Sequence, residues 1–192
     1  MGHSERRFAL RDRTRANHEK LDTAIGAFEN LAAYRRYLTF LGRFRFAMDR
    51  VLHDVVWPRD WSWRPTAVSD AIAQDAKDMG LRVTPTETSD VLFDDQSGLL
   101  GAVYVLEGST LGARVLRSRA AALGMSDGFG ARHLAVMTRD MSCWQSFLRQ
   151  LDDVEDFDIE CAAQAANAVF DLALRCVETG GLPSPDFKAS AN

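Results

Sequence analysis

Histidine is the side chain in this sequence best suited to metal binding and proton transfer, and three lie inside the chain: His18, His53 and His133. A fourth, His3, belongs to a polar terminus. A carboxylate-bridged metal pair would need a glutamate three residues before a histidine on each of two helices. Those positions hold Arg15, Arg50 and Gly130, so that class fails. The cysteines, Cys143, Cys161 and Cys176, show neither paired spacing nor a flanking base, which disfavours a disulfide framework, a zinc site and thiol catalysis. His18 stands apart because it continues a helical stripe, Leu10, Thr14, His18 and Asp22, with Arg11 and Arg15 beside it.

The second feature is the stretch GAVYVLEGSTLGARVL, Gly101 to Leu116, an apolar helical pattern interrupted by Gly101, Gly108 and Gly112. Each glycine costs about 1 kcal/mol relative to alanine in a helix interior. Spacings of seven and four place the three on roughly one face, where the helix can bend. Two readings are open: close packing against another helix, or a flat ligand lying on bare backbone. The Gly108-Ser109 pair mimics a nucleophile elbow but sits mid-helix, and the glycines do not precede a helix as a phosphate loop requires. What survives is one histidine on an inward stripe and one helix with a naked face. Together they would sandwich a flat macrocycle and leave an axial position open, as haem chemistry demands.

The elements that must position these residues are all helical. Periodicity predicts helices over about 5–22, from Asn30 as N-cap to Trp57-Pro58, over 66–79 with Gly80 as the stop, and from about 94–97 to Leu123-Gly124. A short helix follows at 131–136, then two more at 139–151 and 159–177. The fold class is all-α, a single-domain multi-helix bundle over residues 1–181, with 182–192 read as a disordered tail. No stretch alternates with a period of two for long enough to form a sheet.

The 192 residues carry a net charge of -4, which argues against nucleic acid as the main partner. Positive charge is nearly all arginine, suited to carboxylate groups. No uninterrupted apolar run reaches a membrane-spanning length and no signal-peptide pattern opens the chain, so a cytoplasmic protein is expected, without a membrane partner.

Two segments then resemble a known family. LRDRTRANHEKLD, Leu10 to Asp22, is similar to the proximal helix of bacterial biliverdin-producing haem oxygenases, with a threonine four residues before the iron-ligating histidine and His-Glu-x-Leu-Asp from it onward. YVLEGSTLGARVL, Tyr104 to Leu116, resembles their distal helix with its Glu-Gly-Ser-x-Leu-Gly core, about 90 residues later. The Trp144-x-x-Phe147 and Ala166-x-x-x-Phe170 stretches resemble the family's C-terminal helices.

The resemblance implies a haem oxygenase-like bundle holding haem between a proximal and a kinked distal helix, with haem both cofactor and substrate. It implies His18 as the iron ligand, Asp22 as the group orienting its imidazole, and Arg11 facing a propionate, with Arg114 and Arg149 as weaker candidates. Thr14, Tyr104 and Phe170 join Arg11, His18 and Asp22 among the expected haem-binding positions. Gly108, Ser109 and Gly112 are the expected catalytic positions on the distal side, Ser109 through its backbone more than its hydroxyl, because animal members carry an aspartate there. Ala113 departs from a common Gly-Gly pair. The implied reaction converts haem to biliverdin, ferrous iron and carbon monoxide with O2 and an external electron donor of ferredoxin or flavoprotein type, for iron acquisition or to supply a bilin-binding photoreceptor. A non-catalytic haem-binding protein of the same fold, or a bundle that binds no haem, are the alternatives.

Overall fold

Eight α-helices follow one another in the computed structural model, which describes residues 5–179 apart from 62, 87–92, 94 and 141. They are α1 (Glu5–Ile25), α2 (Leu31–His53), α3 (Ser69–Asp78), α4 (Gln96–Gly108), α5 (Ala113–Ala122), α6 (Arg132–Arg139), α7 (Ser142–Asp153) and α8 (Ile159–Thr179). A 3₁₀ turn, Ser109–Gly112, joins α4 to α5. The described residues contain no strand, only isolated bridges in the 126–130 turn, so the all-α expectation holds. The tail expected from residue 182 lies outside the described residues.

Local chemistry explains the helix boundaries. Asn30 adopts an extended backbone and its side chain accepts from the Ala33 amide at 2.9 Å, capping α2. Asp95 does the same for α4, accepting from the Gly98 amide at 2.8 Å. Gly80, at φ +62°, lets the chain leave α3 in the left-handed region while the Leu81 amide reaches back to the Ala76 carbonyl at 2.8 Å. α3 starts at Ser69 rather than at 66 because Thr66 is engaged elsewhere, as described below. α6 begins where the Asp75 carboxylate accepts from the Arg132 and His133 amides at 3.0 and 2.9 Å, and it runs to Arg139, beyond the expected Val136.

Two apolar clusters share α4 and α8 as their boundary. One gathers Tyr34, Leu38, Phe44 and Met48 of α2 with Leu106 and the inner face of α8; the other gathers Leu10, Trp61, Trp63, Leu100, Trp144 and Phe147. The tryptophan loop after α2 is therefore core: Trp61 and Trp63 are 2% and 6% exposed. By length and composition Gln96–Ala122 would pass for a membrane span, but 56% of its most apolar window is buried inside the fold. It is a core helix with a break in it.

Gly101 corrects the expectation of three equivalent glycines. A methyl group there would lie 1.9 Å from the Ala162 carbonyl oxygen and 2.7 Å from its Cα, so Gly101 exists to let α4 and α8 meet backbone to backbone. At Gly108 and Gly112 the same methyl would meet nothing within 4 Å. Close helix packing accounts for Gly101, while Gly108 and Gly112 present backbone to open space.

Candidate functional site

α8 packs along both α4 and α1, and α1 meets α4 chiefly through side chains, with Leu10 and Leu100 in one apolar cluster and Tyr104 beside Thr14. Two walls thus stand on one floor, and burial shows where they part. Down α1, Leu10 and Thr14 are 0% and 2% exposed, whereas the side chains of His18 and Asp22 are 61% and 68% exposed. Down the other wall, every residue from Ser97 to Glu107 except half-buried Tyr104 is buried, and cover gives way at Ser109, Leu111 and Gly112, which are exposed. Both walls lose their cover toward the same end of α8, where His18 meets Phe170, and the space between them there is the candidate cleft.

On the α1 wall, His18 Nδ1 lies 3.1 Å from Asp22 Oδ2, one helical turn on. That pairing fixes the ring and leaves Nε2 as its open nitrogen, the arrangement a metal-ligating histidine uses. Phe170 rises from the α8 floor and meets the His18 ring edge-on, with centroids 5.8 Å apart at 72°. Phe170 is itself 3% exposed, so it props the imidazole from below. The buried Thr14 hydroxyl donates to the Leu10 carbonyl at 2.8 Å, closing the cleft's inner end. α1 is fastened by polar pins: Arg6 donates to the carbonyls of Leu151 and Val154 at 2.7 and 2.6 Å, Asn17 donates to Asn167 at 3.0 Å, and Arg13 pairs with Glu160 at 2.7 Å.

The opposite wall is the break between α4 and α5. There the Ser109 hydroxyl donates to the Leu106 carbonyl at 2.6 Å, and Thr110 to the Glu107 carbonyl at 2.7 Å. Ser109 therefore uses its side chain to satisfy the helix that the 3₁₀ turn interrupts. Tyr104, one turn before Gly108, is half-buried; burial pushes its phenol up, against the pull of nearby Arg7, Arg11 and Thr14. Arg11 is exposed and has no acidic partner among the described residues. Arg7 stacks over Trp144 at 5.6 Å, and Trp144 in turn lies 6.0 Å from Tyr104. Cationic and phenolic groups thus gather at one rim, where a carboxylate would be held. Arg149 turns to its neighbour Ser146 at 2.8 Å, and Arg114 lies exposed on α5.

The other two histidines have different roles. His53 is exposed beside Asp54 at 2.9 Å. His133 is fully buried with Nδ1 2.8 Å from Asp75, which also binds Arg132 at 3.0 Å, and the cluster clamps α3 to α6. Burial resists ionisation of Asp75, but the hydrogen bonds from His133 and Arg132 outweigh it and hold the carboxyl below its ordinary range.

Sequence reasoning passed over Glu107. Fully buried just before Gly108, it accepts from the Thr66 amide at 2.7 Å and from the Thr66 hydroxyl at 3.3 Å. Arg45, 2% exposed, donates to the Thr66 carbonyl at 2.7 Å. Burial raises the Glu107 carboxyl, opposed by these hydrogen bonds and by the Arg45 charge. The group ties the loop before α3 to the residue where the helix breaks. A lone glutamate after the apolar run from Leu99 to Leu106 was the available signal.

No protein-family model matches the chain. Over 166 residues, 82% of this chain and 83% of the relative, it is 30% identical to heme oxygenase PigA of Pseudomonas aeruginosa. The structure superposes on the crystal structure of the NO- and CO-bound heme oxygenase from Neisseria meningitidis with a TM-score of 0.69 and 26% identity, covering 95% of this chain and 92% of that one.

Proposed function

The chain belongs to the haem oxygenase family, and on that premise we propose that it cleaves haem to biliverdin, ferrous iron and carbon monoxide, using O2 and externally supplied electrons. Haem, when bound, supplies the redox-active iron and is also the molecule oxidised. Everything else falls to the protein. His18 offers Nε2 to the iron while Asp22 holds Nδ1, so the ring keeps one tautomer and one orientation. Phe170 stops the imidazole from folding down onto α8. Gly108 and Gly112 present bare backbone to open space, which would admit the haem where a side chain would obstruct it, and Ser109 contributes as the first residue of the 3₁₀ turn. Thr14 closes the inner end, and Arg11 and Tyr104 take the propionates.

The observation that carries this reading is the pair of vacant Cβ positions at Gly108 and Gly112 in a cleft whose other wall bears a carboxylate-supported imidazole. A helix crossing would have filled those positions, as Gly101 shows. The electron donor is a ferredoxin or flavoprotein, the site of action is the cytoplasm, and the product feeds iron acquisition or a bilin photoreceptor. Incubating the protein with hemin and an electron donor under air tests the activity: the Soret band should decay as biliverdin absorption grows. A Soret band that persists with several reductants refutes the enzyme and leaves a haem carrier.

A further inference from the structure

Two large apolar side chains on the distal wall stand in solvent: Leu111 is 42% exposed and Val115 57%. Isolated exposed aliphatics are ordinary on a protein surface, but these two are not isolated from the site. In a 3₁₀ turn, side chains three apart eclipse, so the Ser109–Gly112 turn carries Leu111 over bare Gly108. Val115 follows Gly112 by three residues and Leu111 by four, which continues the same stripe into α5. The reverse side of the helix is closed at this level, with Glu107, Thr110 and Ala113 only 0%, 6% and 0% exposed. One face therefore combines two positions with no side chain and two with an unpartnered aliphatic one.

That combination forms a step. The glycines admit a flat body against the backbone, and the aliphatic side chains beside them meet its face or edge. The wall across the cleft presents the polar pair His18 and Asp22. We propose that Leu111 and Val115 fix the in-plane position of the haem, and so determine which meso carbon is turned toward the oxygen side. This rests on the haem reading above. Covering both side chains with the macrocycle removes their apolar surface from water, whereas a carboxylate at either position would be forced against an apolar ring.

The test is hemin titration of the parent protein, Leu111→Asp, Val115→Asp and, as a control, Val56→Asp, an equally apolar site that is 94% exposed in the loop after α2. Hemin affinity should fall about tenfold or more in the two stripe variants and stay unchanged in the control, with all apo proteins melting together because the sites are exposed. A second measurement uses Val115→Trp, which should alter the ratio of biliverdin isomers formed. Unchanged affinity in the stripe variants together with an unchanged isomer ratio in Val115→Trp overturns the assignment and leaves the haem reading standing. A parent protein that does not bind hemin overturns both.

Discussion

Replacing single glycines by alanine along one helix should change stability in opposite directions. At Gly108 and Gly112 nothing lies within 4 Å of the added methyl, so alanine returns the helix propensity that glycine forgoes, about 0.5–1 kcal/mol. For a chain of this size that raises the melting temperature of the apo protein by about 1–4 °C. At Gly101 the methyl would sit 1.9 Å from the Ala162 oxygen, and the obstacle is backbone, so α4 and α8 must separate. Overpacking of that kind costs about 3 kcal/mol or more, well above the propensity gained, and lowers the melting temperature by roughly 6–12 °C. Function should follow the reverse order: Gly108→Ala and Gly112→Ala lose hemin turnover while gaining stability, and whatever Gly101→Ala protein remains folded keeps its turnover. Differential scanning calorimetry of the apo proteins, with hemin turnover on the same samples, measures both. A destabilised Gly108→Ala apo protein would mean that the space above the break is packed, and the site argument would fall with it.

Two further outcomes follow from the same geometry. His18→Ala should leave the apo fold within about 0.5 kcal/mol of the parent, because the side chain is largely exposed, yet alter the hemin spectrum and abolish turnover; a hemin spectrum identical to the parent's would refute ligation by His18. The Asp75 carboxyl is held below its ordinary range, so its contribution to stability is present above the unfolded value of about 4 and disappears as the pH falls through the folded value. Asp75→Asn, which breaks a buried network at some 3 kcal/mol, should therefore be most damaging near neutrality and converge on the parent in acid, as urea melts across pH 2–7 would reveal; a pH-independent difference would refute the assignment.

Local features were legible in the sequence. Asn30, Gly80 and the three- and four-residue spacings marked helices whose ends fall within a few residues of those observed, because caps and periodicity act over one or two turns. His18 with Asp22 was legible for the same reason, the pair being a single turn apart. Features that depend on distant chain segments were not. Asp75 meets His133 from 58 residues away, and Glu107 meets Thr66 from 41, so neither pattern marks either helix by itself. The glycines illustrate the boundary: spacing put Gly101 with Gly108 and Gly112, and only the position of Ala162 on another helix separates a crossing point from a vacant face.

The two walls meet where Leu10 shares a cluster with Leu100 and Tyr104 lies beside Thr14, and part beyond that level, which has a thermodynamic consequence. α1 has 21 residues, yet only Leu10 and Thr14 are buried, and its second half is held by Asn17, by the His18–Phe170 contact and by the partly buried Leu21, Ala24 and Ile25. A ligand bound to both walls adds a link between them beyond Thr14, and part of its binding energy goes into further ordering the end of α1. Cargo and arm are therefore reciprocally coupled: loading stiffens the second half of α1, and opening the ring of the bound molecule loosens the grip that held it.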